Sequence, residues 1–342
     1  MARQNLESIT QWITAAAQRR PHALDAELAA RTHVSQRSAR RTLARLVELN
    51  WLVREGSLRR PQWRPGLLRQ VVQRYELAGL EEDLPWSLDF APYFVLPPNL
   101  LRLVQQAFCE LLNNAIGHSG GTHVTVSLRQ TASQVQLLVS DNGVGLFERI
   151  AQTFSIASPA LAMLELSKGK LTSQPDRHTG EGLFFTSRLA DVFDLHANDA
   201  AFQQRAWDER GWHPQRALRH AGTSVYAAFA LDTPRTLDGV RSAYSVGADP
   251  FGAEFSRTTV PLRLITSAIE GLESRAQARR VCARLGEFRR AEIDFGGVAS
   301  VGHAFADELF RVFGPAQRSL DLVPVNMTPA VAALVASVRR AV

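Results

Sequence analysis

The chain is poor in the features that mark secreted and membrane proteins. Only two of its 342 residues are cysteines, so no disulfide framework is expected. No run of about 18 apolar residues occurs, and the opening stretch MARQNLESIT lacks the apolar core of a signal peptide. We therefore expect a soluble cytoplasmic protein with no membrane partner. Its length suits two or three domains, and an apolar content of 45% is enough for packed cores.

Lysine is also scarce, because the chain has only Lys168 and Lys170. Positive charge therefore comes from arginine, and it is unevenly distributed. Residues 1–75 carry 14 arginines and five acidic residues, a net charge of +9, whereas the whole chain carries +6. A basic N-terminal region on a mildly acidic remainder favours contact with a polyanion. Double-stranded DNA is the partner that we expect.

The basic region has the pattern of a small helical module. Apolar residues recur at helical spacing over 6–19 and predict a helix there. A short helix over 24–30 follows, and after a tight turn another begins at Ser35, a residue type that caps helices well. This order resembles a winged helix-turn-helix, in which residues 51–64 form the wing hairpin.

Two groups of residues in this module are candidates for DNA contact. Polar side chains near the start of a recognition helix reach base edges, whereas other arginines contact phosphates. The base-contact candidates are Ser35, Gln36, Arg37 and Arg40. The phosphate-contact candidates are Arg41 and Arg45 on the same helix and Arg59 and Arg60 in the wing. The alternative is a solvated basic face on a module that dimerises or docks a protein.

Four short motifs occur once each and in a fixed order farther along the chain. They are ELLNNAIGHS at 110–119, SDNGVGLF at 140–147, TGEGLFFTSR at 179–188 and AGTSVYAAF at 221–229. A lone Asn-Gly pair would be weak evidence, because it is a common turn. Together the motifs predict a helix, two glycine turns and a strand around one nucleotide.

The first motif lies on a predicted helix over 99–116 that Asn99 would cap. Polar residues recur on it at steps of four, which places them on one face; they are Gln106, Glu110, Asn114 and His118. Asn114 can offer a carbonyl oxygen to Mg²⁺. Glu110 can orient or deprotonate an attacking water or hydroxyl, so it is the catalytic candidate.

The second and fourth motifs end or form strands. THVTVSLRQ and QVQLLVSD predict a hairpin whose second strand ends at Asp141, where a carboxylate can accept a hydrogen bond from the adenine amino group. Gly143 and Gly145 allow the backbone to approach the base. The strand GTSVYAAFAL places Thr223 near the adenine.

The third motif follows a long segment, residues 147–178, which we interpret as a lid. Gly180 and Gly182 precede a predicted helix whose N-terminal amides can hold phosphate. Lys168 and Lys170 are predicted to reach the phosphates from the lid.

On these motifs the region resembles the GHKL, or Bergerat, ATP-binding fold of gyrase and the histidine kinases, an α/β sandwich with a lid. The resemblance implies ATP and Mg²⁺ as cofactors. The corresponding residues are Glu110 and Asn114, then Asp141, Gly143 and Gly145, then Gly180 and Gly182, and finally Thr223. His118, four residues after Asn114, is most similar to the anti-sigma serine kinases, whereas Gly117 departs from the acidic residue of several relatives. The alternative is a related scaffold that binds no nucleotide.

The distribution of histidine argues against a conventional two-component kinase. Such a kinase carries a phosphoacceptor histidine on a helix before the ATP-binding domain. No histidine occurs between 34 and 117, and His22 and His33 lie in the basic module.

Strands and helices alternate after about residue 235 and resemble a STAS-like domain. The stretches that carry the resemblance are SRAQARR, IDFGGVASVGHAFADELFRVFG and VNMT. In anti-sigma systems a phosphorylated serine lies at the start of the helix after such a strand, but here Gly302, His303 and Ala304 occupy that position. We therefore favour a docking or sensing role toward a protein partner, with a simple dimerisation lobe as the alternative.

The sequence thus predicts a multidomain α/β protein: a winged helix-turn-helix over 1–75, a partly helical connector over 76–98, a GHKL domain over 99–235 and a STAS-like domain over 236–342. The connecting stretch GLLRQVVQRYELAGL is expected to be helical. The favoured function is an ATP-gated, DNA-binding transcription regulator, with a homodimer left open. The alternative is an anti-sigma-type serine/threonine protein kinase or an ATPase that acts on a protein partner.

Overall fold

The computed structural model describes residues 6–57, 60–156, 158–172, 179–208, 211–218, 220–245, 254–266 and 271–340. They form two compact units, each described by itself. The first unit comprises Met1–Val144 and Ala221–Pro234, and the second comprises Gly145–His220 and Arg235–Val342. In the described ranges, no helix is both long enough and apolar enough to span a membrane.

Helices and strands come in short runs up to β9 and alternate only in the C-terminal part of the chain. The helices are α1 Leu6–Arg19, α2 Leu24–Thr32, α3 Gln36–Glu48, α4 Asp83–Pro85, α5 Pro98–His118, α6 Leu146–Phe154, α7 Pro159–Lys168, α8 Gly182–Leu189, α9 Leu237–Ala243, α10 Arg275–Cys282, α11 His303–Asp307, α12 Gly314–Ala316 and α13 Pro329–Arg340. The strands are β1 Leu52–Gly56, β2 Pro61–Pro65, β3 Arg69–Glu76, β4 His123–Gln130, β5 Gln134–Asp141, β6 Val192–Asn198, β7 Ala200–Arg205, β8 His213–Gln215, β9 His220–Ala230, β10 Arg257–Pro261, β11 Arg290–Asp294 and β12 Asp321–Val325.

The N-terminal module, α1 to β2, consists of three helices and an antiparallel hairpin around one apolar core. Ile13, Leu28 and Leu43 are fully buried there. The predicted helix over 6–19 is confirmed, and the predicted hairpin is present as the β1–β2 pair. Ser35 caps α3 as expected, because its Oγ accepts a hydrogen bond from the Ser38 amide at 3.3 Å.

The helix predicted for the stretch after the hairpin is wrong. Residues 69–76 form β3, which pairs antiparallel with β4 from Arg69↔Gln130 to Glu76↔His123. Its central residues, Val71, Val72 and Tyr75, are of types that favour strands, and β4 supplies the ladder partners that a local pattern cannot reveal. The sheet therefore begins before the predicted boundary at residue 75.

The rest of the first unit is an antiparallel sheet against which α5 packs. β4 pairs with β5, and β5 pairs with β9 from Gln134↔Ala230 to Ser140↔Ser224. Alternate residues of β4 are buried, whereas α5 buries one face of its length. Asn99 does not cap α5. Pro97 is the cap and Pro98 is the first helical residue, a position where its missing amide hydrogen costs little.

The second unit contains strands of an antiparallel sheet and a separate parallel sheet. β6, β7 and β8 pair antiparallel after helices α6, α7 and α8. The C-terminal domain, residues 236–342, has three parallel strands in the order β10, β11, β12. In this domain the basic helix α10 begins after Ser274, which forms a reciprocal cap with Gln277. Residues 267–270 lie outside the described part of the chain.

Candidate functional site

The polar stripe of α5 is organised by a hydrogen bond within the helix. Gln106 Nε2 donates to Glu110 Oε1 at 2.8 Å, across one helical turn, and both side chains are half-buried. Asn114 and His118 follow at the same spacing and are also half-buried. The carboxylate of Glu110 is therefore held in one orientation beside two further polar groups.

Asp141 lies at the end of β5 and is only 6% exposed. Its Oδ1 accepts hydrogen bonds from the Gly143 amide at 2.8 Å and the Thr223 amide at 3.2 Å. Three predicted site residues from two separate motifs are thus brought together. Two amide hydrogen bonds to one oxygen help to fix the plane of this buried carboxylate.

Glycines in this corner are required by close backbone approach. A Cβ on Gly143 would lie 2.2 Å from the Ser119 carbonyl oxygen, and one on Gly222 would lie 2.2 Å from the Asp141 carbonyl oxygen. Gly222 also has a φ of +87°. Sequence reasoning missed Gly222, although it is the glycine of the AGTS motif that also contains Thr223.

Asn142 is a second residue that the sequence reasoning missed. Its Oδ1 accepts hydrogen bonds from the amides of Thr122 and His123, at 2.9 and 3.0 Å. The Val144 amide also donates to the Ser119 carbonyl, at 2.9 Å. These bonds hold the loop after α5 against the Asp141 turn. No local pattern signals this role, because Thr122 and His123 lie 20 and 19 residues before Asn142 in the chain.

The remaining glycines belong to the second unit. Gly145 has a φ of +88° and caps α6, and a Cβ there would lie 2.3 Å from Asn198 Oδ1. Gly180 has a φ of +70°, and a Cβ there would lie 2.7 Å from the backbone of Leu171. Gly182 is the first residue of α8, one position inside the helix that it was predicted to precede. Residues 173–178 of the predicted lid lie outside the described ranges.

Burial of Lys168 contradicts the prediction that this residue reaches phosphate, whereas the same prediction for Lys170 stays a prediction. The Lys168 side chain is fully buried, and its Nζ donates to Glu165 Oε1 at 2.5 Å and to the Ala283 carbonyl at 2.8 Å. Burial lowers the pKa of Lys168, and the charge of Glu165 opposes that shift. Lys170 Nζ donates to the Glu287 carbonyl at 3.1 Å. The Lys168 ammonium group is therefore committed to its partners, whereas Lys170 is half-buried and makes one hydrogen bond at the surface.

The candidate DNA-contact residues divide into paired and unpaired groups. Arg40 pairs with Asp25 at 3.0 Å, and Arg45 pairs with Glu48 at 2.8 Å. Arg37 and Arg41 are exposed one turn apart on α3, and no acidic side chain of the described ranges pairs with them.

The three other described candidates for DNA contact differ in exposure and hydrogen bonding. Gln36 is exposed, Arg60 is exposed in the hairpin, and the Ser35 hydroxyl is used in the helix cap. Arg59 lies outside the described residues.

Position 302, which caps α11, has no room for a side chain. Gly302 caps this helix, and a Cβ there would lie 2.1 Å from Glu273 Oε2 and 2.9 Å from Glu273 Cα. The second of these contacts is with backbone, which cannot move aside as a flexible side chain could. His303 and Ala304 follow in the helix, and Ser300 is exposed in the preceding turn.

Neither cysteine fits a nucleophile. Burial raises the pKa of Cys109 to about 11, with further contributions from the charges of Glu82, Glu110 and Asp83. Burial also raises the pKa of Cys282 to about 12, although the charge of Lys168 opposes this. Both groups are therefore thiols near neutral pH. Across the described residues, no cluster of three His, Cys, Asp or Glu side chains could hold a metal ion.

Comparison with protein families assigns two regions of the chain. Residues 68–203 match the histidine kinase-like ATPase domain, and residues 277–317 match a STAS-like domain of unknown function. No curated protein matches the chain. The protein is therefore a multidomain α/β protein with a GHKL-like ATPase domain, which implies ATP binding, and a STAS-like domain. The ATPase match begins immediately before β3, in agreement with the pairing of β3 in the sheet.

Proposed function

We propose that the protein is an ATP-dependent DNA-binding regulator, in which nucleotide binding by the ATPase domain changes how the N-terminal module contacts duplex DNA. The N-terminal module would be a winged helix-turn-helix, with α3 as its recognition helix and β1–β2 as its wing. The observation that carries the proposal is that the module with the exposed Arg37 and Arg41 is attached directly to the ATPase sheet.

That attachment is short and rigid. β2 ends at Pro65 and β3 begins at Arg69, so three residues separate the hairpin from the ATPase sheet. α1 packs against β3, and the Gln70 amide donates to Thr14 Oγ1 at 3.0 Å. Gln18 Nε2 donates to the Pro92 carbonyl at 2.8 Å. A change in the sheet would therefore be transmitted to α1 without a flexible linker.

The residues of the four motifs would each supply one part of ATP binding. Asp141 would accept a hydrogen bond from the adenine amino group, and the glycines would allow close approach of backbone to ligand. The amides at the start of α8 would face phosphate. Thr223, whose amide is already tied to Asp141, would lie beside the base.

The donor set of α5 fits Mg²⁺, which prefers oxygen ligands and usually keeps several waters. The side-chain carbonyl of Asn114 would hold the ion, and bound Mg²⁺ would neutralise phosphate charge. Glu110, held by Gln106, would orient a water or hydroxyl and accept its proton. The two roles differ, since one group binds and the other activates a nucleophile.

The DNA surface would consist of the exposed side of α3 and the hairpin. Arg37 and Arg41 are available because no described acid neutralises them, and a phosphate would be their first strong partner. Gln36 would reach base edges near the start of the helix. Arg40 and Arg45 would have to leave Asp25 and Glu48 first, which makes them weaker candidates.

The test is binding of the purified full chain to duplex DNA with and without ATP and Mg²⁺. We expect the DNA affinity to change when ATP is added, and Asp141→Ala to remove that change. A hydrogen bond to a charged group is worth roughly 1.5–3 kcal/mol, so the variant should lose about 10- to 150-fold in ATP affinity by calorimetry. Asp199→Ala, at an exposed position, is the matched control. Unchanged ATP affinity in Asp141→Ala would remove the site assignment.

A protein kinase or ATPase that acts on a protein partner is the second candidate, and the STAS-like domain favours it because such a domain is compatible with a protein partner. In that case the basic module would dock a protein. Transfer of label from γ-labelled ATP to a protein, with no effect of ATP on DNA binding, would support this candidate and overturn the first. The crowding at Gly302 indicates that the acceptor would not be a side chain at position 302.

A further inference from the structure

The last turn of α7 and the residues after it are fastened to the C-terminal domain. We call this stretch, Glu165–Lys170, the clamp segment. It lies in the chain between the first glycine motif and the second. Lys168 is fully buried, and its ammonium group bridges Glu165 of its own helix and the carbonyl of Ala283 in the C-terminal domain.

Arg284 supplies the second half of this contact from the C-terminal domain. Its Nη1 lies 3.3 Å from Glu165 Oε2, and its Nη2 donates to the Gly169 carbonyl at 3.0 Å. The Glu165 carboxylate is thus shared by a cation of α7 and a cation of the C-terminal domain. Because both cations and the carboxylate are largely buried, the pairs are weakly screened by salt.

The backbone of the clamp segment is held as well. Thr258 Oγ1 donates to the Lys168 carbonyl at 2.8 Å. Gly169 has a φ of +83°, and a Cβ there would lie 2.6 Å from the Phe255 ring. Lys170 Nζ lies 5.0 Å from the centre of the Phe288 ring. Main chain, ammonium groups and aromatic faces therefore all fix this segment.

The helix of the second glycine motif is held by the same domain. Phe184 of α8 packs against Phe255 and Tyr244, with ring centres 4.5 and 5.0 Å apart, and Phe255 packs in turn against Phe288. The Arg188 guanidinium lies 3.5 Å from the centre of the Phe184 ring. The C-terminal domain thus contacts both the clamp segment and the element that begins at Gly182.

We propose that the C-terminal STAS-like domain controls ATP binding by holding the clamp segment and α8 in a binding-competent arrangement. The inference rests on the proposed ATP function. A segment that is already ordered binds ligand more tightly, because less ordering entropy remains to be lost on binding. By linkage, ATP must stabilise the clamp as much as the clamp favours ATP. A partner that loosens the clamp from the C-terminal side would therefore release ATP.

Arg284→Met is the direct test, because it removes the C-terminal cation and leaves the Lys168–Glu165 pair intact. The full chain is measured by calorimetry with ATP and Mg²⁺ and by hydrogen exchange of residues 165–170. We expect ATP affinity to fall by about fivefold or more, the lower end of typical coupling, and exchange to rise. Arg279→Met is the matched control, since Arg279 pairs with Glu308 in the same domain.

Thr258→Val provides a second route that removes one hydrogen bond with little change in shape, in case Arg284→Met does not fold. Weakened ATP binding in either folded variant, with Arg279→Met unchanged, supports the inference. If exchange of the clamp segment rises while ATP affinity stays at the wild-type value, the coupling is overturned. If the wild type itself binds no ATP, the proposed function fails and the inference fails with it.

Discussion

Arginine side chains have different surroundings in the N-terminal module and in the C-terminal domain. On α3, Arg37 and Arg41 face solvent without an acidic partner in the described ranges. In the C-terminal domain, Arg275, Arg279 and Arg311 are tied to the neighbouring carboxylates Asp307 and Glu308. Arginine therefore has two different roles in the two regions. An unpaired arginine remains available to a polyanion, whereas a paired one joins elements of the fold.

The comparison also shows why charge counting alone is a coarse guide. The N-terminal module is basic by composition, yet Arg40, Arg45 and Arg64 are each paired with an acid. The surface that can attract phosphate is therefore smaller than the sequence suggests. In the second unit the ionic contacts extend inward to the buried Lys168–Glu165 pair. Pairing and burial together predict which substitutions will affect stability and which will affect ligand binding.

The largest effect is expected at the buried pair. Glu165→Gln should lower the free energy of unfolding by about 3–5 kcal/mol, because it leaves the Lys168 ammonium buried beside a neutral amide. Urea unfolding of the full chain, followed by circular dichroism, measures the change. Glu48→Gln, which removes an exposed partner, is the control. Equal stability of Glu165→Gln and the wild type would show that the buried Lys168–Glu165 pair contributes no more to the free energy of unfolding than an exposed pair does.

The next largest effect is expected on DNA affinity, and it should differ between an unpaired and a paired arginine. Arg41→Ala should weaken binding to all duplex sequences and flatten the plot of log affinity against log salt by about 0.9 units. Arg279→Ala, at a paired position in the C-terminal domain, should leave that slope unchanged. Fluorescence anisotropy at several salt concentrations measures both. A salt-independent affinity of the wild type would show that α3 is a solvated or protein-docking surface.

Local patterns could predict the elements that are stabilised by their own residues. α1, the cap of α3, the β4–β5 hairpin and the start of α8 were all found where the sequence indicated. β3 could not be found in this way, because its hydrogen-bond partners lie on β4, more than 45 residues away. Its arginines and glutamines resemble those of an exposed helix until the sheet is known.

In the candidate site too, some features could be predicted from the sequence and others depend on residues that are distant in the chain. The motif spacing predicted that Asp141, Gly143 and Thr223 come together, and their hydrogen bonds bear this out. The placement of Lys168 could not be predicted, because its partner Ala283 lies 115 residues farther along the chain and only the fold brings the two together. A lysine near a glycine motif is an ordinary expectation for phosphate contact. Its burial against another domain is visible only in three dimensions.

A smaller effect is expected in acid, and it should be confined to the paired region. The hydrogen bond and charge of Arg311 hold the pKa of Asp307 below its ordinary value, and Arg279 does the same for Glu308. Carboxylates with lowered pKa values stabilise the fold above their unfolded pKa, near 4, and this stabilisation is lost as pH falls through the folded values.

The double variant Asp307→Asn, Glu308→Gln should therefore show a shallower fall of melting temperature between about pH 5 and pH 3 than the wild type. Thermal unfolding followed by circular dichroism at several pH values measures the two slopes. The variant also has a lower melting temperature at pH 7, so the slopes are the quantity to compare. Identical slopes would mean that these two carboxylates do not account for the acid sensitivity.

The smallest effect is expected at the exposed pair of α3. Arg45 and Glu48 are three residues apart, 57% and 64% exposed, and joined at 2.8 Å. Pairs of this kind contribute about 0.2–0.5 kcal/mol, because solvent screens the charges and two long side chains lose freedom. A double-mutant cycle with Arg45→Ala and Glu48→Ala should therefore give a coupling energy below about 0.5 kcal/mol.

The same Glu48→Ala variant releases Arg45, so it should tighten DNA binding slightly and steepen the salt dependence of that binding. Tighter DNA binding without a change in the free energy of unfolding would show that Arg45 contacts DNA once its acidic partner is removed. Unaltered DNA affinity in Glu48→Ala would indicate that Arg45 points away from the DNA surface even when it is free.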